Sequence, residues 1–78
     1  MDIKQGIYRH WKGGEYDVVG VALNRDSGIK IVVYRPRYGE RRLEYKTVAE
    51  WTEIVTRDGY TGPRYWLLVS NQEGPQNA

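Results

Sequence analysis

Hydrophobic and polar positions alternate with a period of two along most of the chain, and glycine, proline and small polar residues interrupt the pattern at intervals. Ile7–Trp11 is aromatic and β-prone. Lys12-Gly13-Gly14-Glu15 follows it as a turn, because paired glycines permit positive φ. In Tyr16–Leu23, Tyr16, Val18, Gly20 and Ala22 share one strand face, and Asp17, Val19, Val21 and Leu23 share the other. Both faces are largely apolar, which predicts a central strand, and Gly20 in its middle marks a bulge or bend. Asn24-Arg25-Asp26-Ser27-Gly28 is a second turn cluster. Ile29–Tyr34 is strongly β-branched and reads as a third strand, whose ladder Pro36 ends for want of an amide hydrogen.

Arg35–Lys46 reads as a loop plus a short fourth strand around Leu43–Lys46. Thr47-Val48-Ala49-Glu50 is a capping-box pattern. Val48, Trp51 and Val55 fall at i, i+3 and i+7 beside Ile54, so a short helix is predicted from about Val48 to Ile54. Thr56–Pro63 reads as a loop and Arg64–Ser70 as a last strand with the apolar centre Trp66-Leu67-Leu68-Val69. Asn71–Ala78 is polar, holds Gly and Pro, and is expected to be a disordered tail. Residues 1–70 then make one mainly β domain. About five strands with one short helix before the last give a small, strongly bent antiparallel sheet, first as an SH3-like barrel and second as an open α+β sheet.

Composition narrows the function classes. The chain has 78 residues, no cysteine and one histidine. A domain this small buries only roughly 60–65% of its unfolded surface, so its core is thin and self-association is a further expectation. Disulfides, thiolate metal sites and sites needing two imidazoles are excluded. No apolar run approaches the roughly 18 residues of a membrane span, and Met1–Gln5 lacks a signal-peptide core, which leads to the expectation of a cytoplasmic protein without membrane contact. The net charge of +2 is mild, but residues 35–46 carry a net +3. Seven Tyr and three Trp stand against no Phe, so every aromatic residue carries a polar handle.

The chemistry-bearing residues are few. His10 titrates near neutrality and suits a general acid or base, a ligand contact or a structural hydrogen bond. No Gly-x-Ser-x-Gly stands beside it, and the serines are Ser27 in a turn and Ser70 near the tail. The carboxylates are scattered without hydrolase or calcium-loop spacing; Asp26 and Asp58 serve turns, and Glu50 serves a cap. Lys12-Gly13-Gly14 lacks the phosphate-loop spacing and opens no helix, which leaves a hairpin turn whose Lys12 and amides could meet an anion. One constellation repeats, in Tyr8-Arg9-His10-Trp11-Lys12, Tyr34-Arg35-Pro36-Arg37-Tyr38 and Pro63-Arg64-Tyr65-Trp66. Cations that grip phosphates or carboxylates alternate there with rings that stack on bases, a pattern that half-exposed strands also show.

Gly6-Ile7-Tyr8-Arg9-His10-Trp11-Lys12-Gly13-Gly14-Glu15-Tyr16 resembles the opening motif of the DUF1653 family, short bacterial and phage proteins of uncharacterised function. The resemblance continues through Val19-Gly20-Val21-Ala22, Val32-Val33-Tyr34-Arg35 and Tyr38-Gly39. It ends at Asp58-Gly59 and Pro63-Arg64-Tyr65, where the family usually has Pro-Arg-Phe. It departs where the family commonly has Trp-x-Arg-Pro and this chain has Glu44-Tyr45-Lys46-Thr47, which keeps a charge without the guanidinium fork. The resemblance implies a compact β-rich domain and no catalytic residue. It puts Tyr8, His10, Lys12, Tyr16, Tyr34, Arg35 and Arg64 on motif positions.

These readings lead to a non-catalytic binding module for a small anionic, nucleotide-like ligand, with no cofactor and no metal. Its ligand-binding residues would be Tyr8, His10, Lys12, Tyr16, Tyr34, Arg35, Tyr38 and Arg64, with the Tyr8-His10-Lys12 face favoured over the Arg9-Trp11 face. The family's phage distribution would fit sequestration of a nucleotide signal. A barrel that binds protein or nucleic acid is the alternative, and a small hydrolase using His10 is the third.

Overall fold

A computed structural model describes residues 3–70; the expected tail at 71–78 lies outside the described residues. The elements run β1 (Gly6–His10), β2 (Glu15–Leu23), β3 (Lys30–Pro36), β4 (Glu44–Thr47), α1 (Val48–Trp51), β5 (Ile54–Arg57), β6 (Tyr60–Pro63) and β7 (Tyr65–Ser70). Five of the strands form one antiparallel sheet in the order β4-β3-β2-β1-β7, and β5 and β6 form a separate two-stranded sheet. The domain is therefore mainly β, with one short helix ahead of its last strand. The edge strands β4 and β7 do not pair with each other, so no closed barrel forms among the described residues. None of the described helices is long and apolar enough to cross a membrane.

β2 is the central strand, as its two apolar faces require. A bulge lies between Val18 and Gly20 in its pairing with β3, at the glycine that marked it. β1 covers only Glu15–Val18 of β2, so the second half of β2 pairs with β3 alone, from Gly20–Val33 to Leu23–Lys30. This β2–β3 arm runs past the end of β1. β7 pairs along β1 from His10–Tyr65 to Gly6–Ser70. Gly6 starts β1 at φ 151° with the Val69 carbonyl oxygen standing where a Cβ would go, so only glycine fits.

Three sequence expectations change. The bulge reverses the alternation in β2, so Val21, opposite Val32, shares the core face with Val18, opposite Tyr34, instead of lying on the other face. The helix ends at Trp51 rather than Ile54, and Thr56–Pro63 is most of a β-hairpin rather than a loop. Thr47 and Glu50 do form both halves of the capping box, which fixes the first turn. Only one turn follows, because the β-branched pair Ile54-Val55 is drawn into β5 opposite Gly62 and Pro63. Asp58 and Gly59 both have positive φ, 53° and 80°, which closes the hairpin in two residues.

The core lies on one sheet face. Tyr8, Val18, Val32, Tyr34 and Tyr65 point from the sheet, and Trp51 closes over them. Trp51, 2% exposed, lies flat on Tyr65 with 3.7 Å between ring centroids and 4° between planes. Ile3 and Val48 pack at the margin. Replacing Trp51 by Ala removes the largest contact of this layer. We expect a loss of about 3–5 kcal/mol in urea denaturation, against less than about 0.5 kcal/mol for Tyr45→Ala on the exposed β4 edge. Equal losses for the two variants would contradict this account of the core.

Candidate functional site

Period-2 geometry on β1 puts Tyr8 and His10 on the core face, with Tyr16 opposite Tyr8 on β2 and Tyr65 opposite His10 on β7. The rings meet there. His10 lies 5.0 Å from Tyr65 and 6.4 Å from Tyr16, and Tyr16 lies 5.5 Å from Tyr34 and 5.7 Å from Tyr38. Outward from His10, Trp11 stacks on Tyr60 at 5.4 Å, and Tyr60 reaches Trp66 at 6.4 Å. Every Tyr and Trp except Tyr45 belongs to this one connected set, which runs from buried Trp51 to the surface with His10 as a link.

The polar handles explain the absence of Phe. Buried hydroxyls need partners, and several of these have them. Tyr8 donates to the Lys4 carbonyl at 2.9 Å, Tyr60 donates to the Pro63 carbonyl at 2.7 Å, and the Tyr16 and Tyr38 hydroxyls share a hydrogen bond at 2.7 Å. Glu44 stands opposite Tyr34 on β4. The Trp51 Nε1 is buried without a partner. Burial pushes the hydroxyls of Tyr8, Tyr16 and Tyr65 above the ordinary tyrosine value of 10. Burial, with the Glu44 carboxylate beside it, pushes Tyr34 up to about 12.

The charges of three cations from separate parts of the chain act on His10. Lys12 follows β1, where its Nζ lies 5.4 Å from the centre of the Trp11 ring. Arg64 sits at the β6–β7 junction; its carbonyl accepts from the Trp11 amide at 2.9 Å, and its guanidinium pairs with Glu53 at 2.7 Å. Lys46 stands on β4 opposite Val32, hence on the core face. Partial burial, then the charges of Arg64, Lys12 and Lys46, hold the His10 imidazole below its ordinary pKa of 6.5. The Lys12 amide donates to Nδ1 at 3.1 Å, so the neutral ring carries its proton on Nε2.

The sequence-derived set therefore divides. His10, Lys12, Tyr16, Tyr38 and Arg64 gather at this mouth. Tyr8 and Tyr34, 8% and 5% exposed, are core side chains with no open ring face to offer a ligand. Arg35 pairs across the sheet with Asp17, on the face away from His10, and its Nε donates to the Arg41 carbonyl at 2.9 Å. Lys46 and Glu44 belong to the site and were not in the set. Their alternation on β4 was the available signal, since it puts both on one face once β4 is paired with β3. Beside the mouth, Tyr38 and Glu44 also line an open cleft of about 350 Å³ with Pro36, Arg41 and Arg42. Among the described residues no group of three or more His, Asp or Glu is placed to hold a metal ion.

Comparisons with known proteins agree with the fold. A family model described as a protein of unknown function, DUF1653, matches residues 6–66. A crystal structure of a protein belonging to DUF1653 from Bordetella bronchiseptica is similar at 25% identity, with a TM-score of 0.79 over 94% of this chain and 96% of that one. No curated protein matches.

Two titrations check this geometry. The buried tyrosines are neutral in the folded chain at pH values where an unfolded tyrosine ionises, near 10. Their contribution to stability is complete below about pH 10 and falls as pH rises toward about 12. Alkaline unfolding followed by tyrosinate absorbance is expected in that window, with a shallower fall for Tyr34→Phe. In NMR, His10 is expected to titrate below 6.5, and Lys12→Ala and Lys46→Ala are expected to move it upward. An unmoved His10 in both variants would place those cations away from the ring.

Proposed function

We propose that this chain, which belongs to the DUF1653 family, is a non-catalytic binding module for a small anionic, planar ligand of nucleotide type, held at the mouth around His10. The observation that carries the reading is the place of His10 at the outer end of the ring set, next to Lys12, beside the Trp11–Arg64 contact and on the same sheet face as Lys46. Lys12 and Lys46 would neutralise the anion. Arg64 is already held by Glu53 and would orient more than it neutralises. His10 would donate from Nε2, and a base would stack on Tyr38. The neighbouring cleft of about 350 Å³ falls within the size range of small-ligand sites.

Binding is favoured over hydrolysis through a serine nucleophile by the placement of the two serines. Ser70 lies at the Gly6 end of β1, opposite to the His10 end, and Ser27 lies in the turn at the tip of the β2–β3 arm. Sequestration of a nucleotide in the cytoplasm would need no more than such a site. A protein or nucleic-acid partner is the second reading; a single-stranded nucleic acid would bind with steep salt dependence.

Thermal shift and calorimetry with mononucleotides, dinucleotides, cyclic dinucleotides and inorganic phosphate test the proposal. At least one nucleotide is expected to stabilise the protein more than phosphate does. Lys12→Ala and Lys46→Ala are each expected to weaken it about tenfold, or about 1.4 kcal/mol. Tyr38→Ala is expected to lose the stacking share, about 1–3 kcal/mol. No response to any nucleotide, or wild-type affinity in both lysine variants, would overturn the reading.

A further inference from the structure

Apolar surface is unevenly distributed over this molecule. Among the described residues, eleven large hydrophobic side chains are exposed while seven are buried, and of the buried ones only Val32 is wholly enclosed. Four of the exposed residues, Val19, Val21, Leu23 and Ile29, stand on or beside the β2–β3 arm. Three more, Leu67, Leu68 and Val69, stand on the edge strand β7. The two groups lie at the same end of the sheet, because Gly6, Val18 and Ser70 form one row across β2, β1 and β7 and the arm continues beyond it. β1 begins at that row, so the strand that would cover the free side of Gly20–Leu23 is missing within the described chain.

We propose that this end of the sheet is a two-fold interface with a second copy of the chain, in which the free edge of Gly20–Leu23 lies antiparallel to its counterpart. Val21 and Leu23 of each copy would approach the Leu67–Val69 segment of the other. Three observations favour a second copy as the occupant. First, Val18–Leu23 and Tyr65–Ser70 contain no charged residue, so pairing the segment with itself sets no like charges opposite one another. The other sheet edge, Glu44-Tyr45-Lys46-Thr47, carries charges of the kind that discourage edge pairing. Second, of the residues outside the described ones, Met1, Asp2 and Asn71–Ala78, only Met1 is a large hydrophobic residue. They have too little apolar surface to cover seven hydrophobic side chains. Third, a chain that exposes more large hydrophobic residues than it buries has a thin core, and a dimer would supply the missing burial.

Sedimentation velocity and light scattering over a concentration series, with hydrogen exchange at each concentration, test the proposal on the full chain. The expected result is twice the chain mass of 9.1 kDa, with Gly20–Leu23 amides more protected as concentration rises. Leu23→Asp and Val69→Lys are each expected to return the protein to monomer at equal concentration. Both positions are more than half exposed, so circular dichroism should match wild type. Leu43→Asp, at an exposed position away from the patch, is expected to leave the dimer intact. A monomer at every concentration would overturn the proposal, whether its arm amides exchange freely or are protected by its own terminus. So would a dimer that survives both patch substitutions or dissociates with Leu43→Asp.

Discussion

Trp51 lies flat on Tyr65 with 3.7 Å between ring centroids, and Tyr8, Tyr16 and Tyr34 each touch one or both of that pair. A sheet with one open face needs something to close over it, and a one-turn helix has little area to give. The chain meets the need with a single large side chain. The Thr47–Glu50 capping box holds the turn, the turn delivers Trp51, and Trp51 presses Tyr65 against the sheet. Tyr65 also contacts His10, so the same contact that closes the core sets the position of the histidine at the mouth. Core and candidate site are two ends of one packed layer.

That continuity explains the use of tyrosine and tryptophan throughout. A ring set that begins in the interior and ends in water cannot be made of phenylalanine without leaving apolar rings at the wet end. A hydroxyl at the dry end then needs an acceptor, and for Tyr8 the chain supplies the Lys4 carbonyl. Tyr16 and Tyr38 satisfy each other, and in doing so tie the segment after β3 to the central strand.

Much of the fold was legible in the sequence because the signals were local. The apolar character of Tyr16–Leu23, the bulge at Gly20 and the cap at Thr47 follow from residues within a few positions of one another, but the bulge reverses the alternation, so that Val21, opposite Val32, shares the face of Val18, opposite Tyr34. The β5–β6 hairpin was equally local, and Asp58-Gly59 between Val55-Thr56 and Tyr60-Thr61 announces it; the helical spacing of Trp51 and Val55 competed and drew the reading away. The site was less legible, for a different reason. Alternation says that Tyr8 and His10 share a face but not that this face is the core, nor that Tyr34 lies beneath Trp51 while Arg35 faces away. Those facts depend on which strands become neighbours. Lys46 illustrates the limit: nothing near it in sequence connects it to His10, and only the β3–β4 pairing puts both on one side of the sheet.

The first and last strands of the sheet are neighbours, with Gly6 opposite Ser70. The polypeptide therefore enters and leaves the fold side by side. A domain connected in this way can be set into a surface loop of a larger protein without spreading the loop's ends, and a short linker could join its own ends. Opening the chain at the two-residue Asp58-Gly59 turn would then give a circular permutant in which β1 and β7 become one continuous hairpin. Such a rearrangement would leave the Trp51 layer untouched, since none of its rings lies in the turn that is cut.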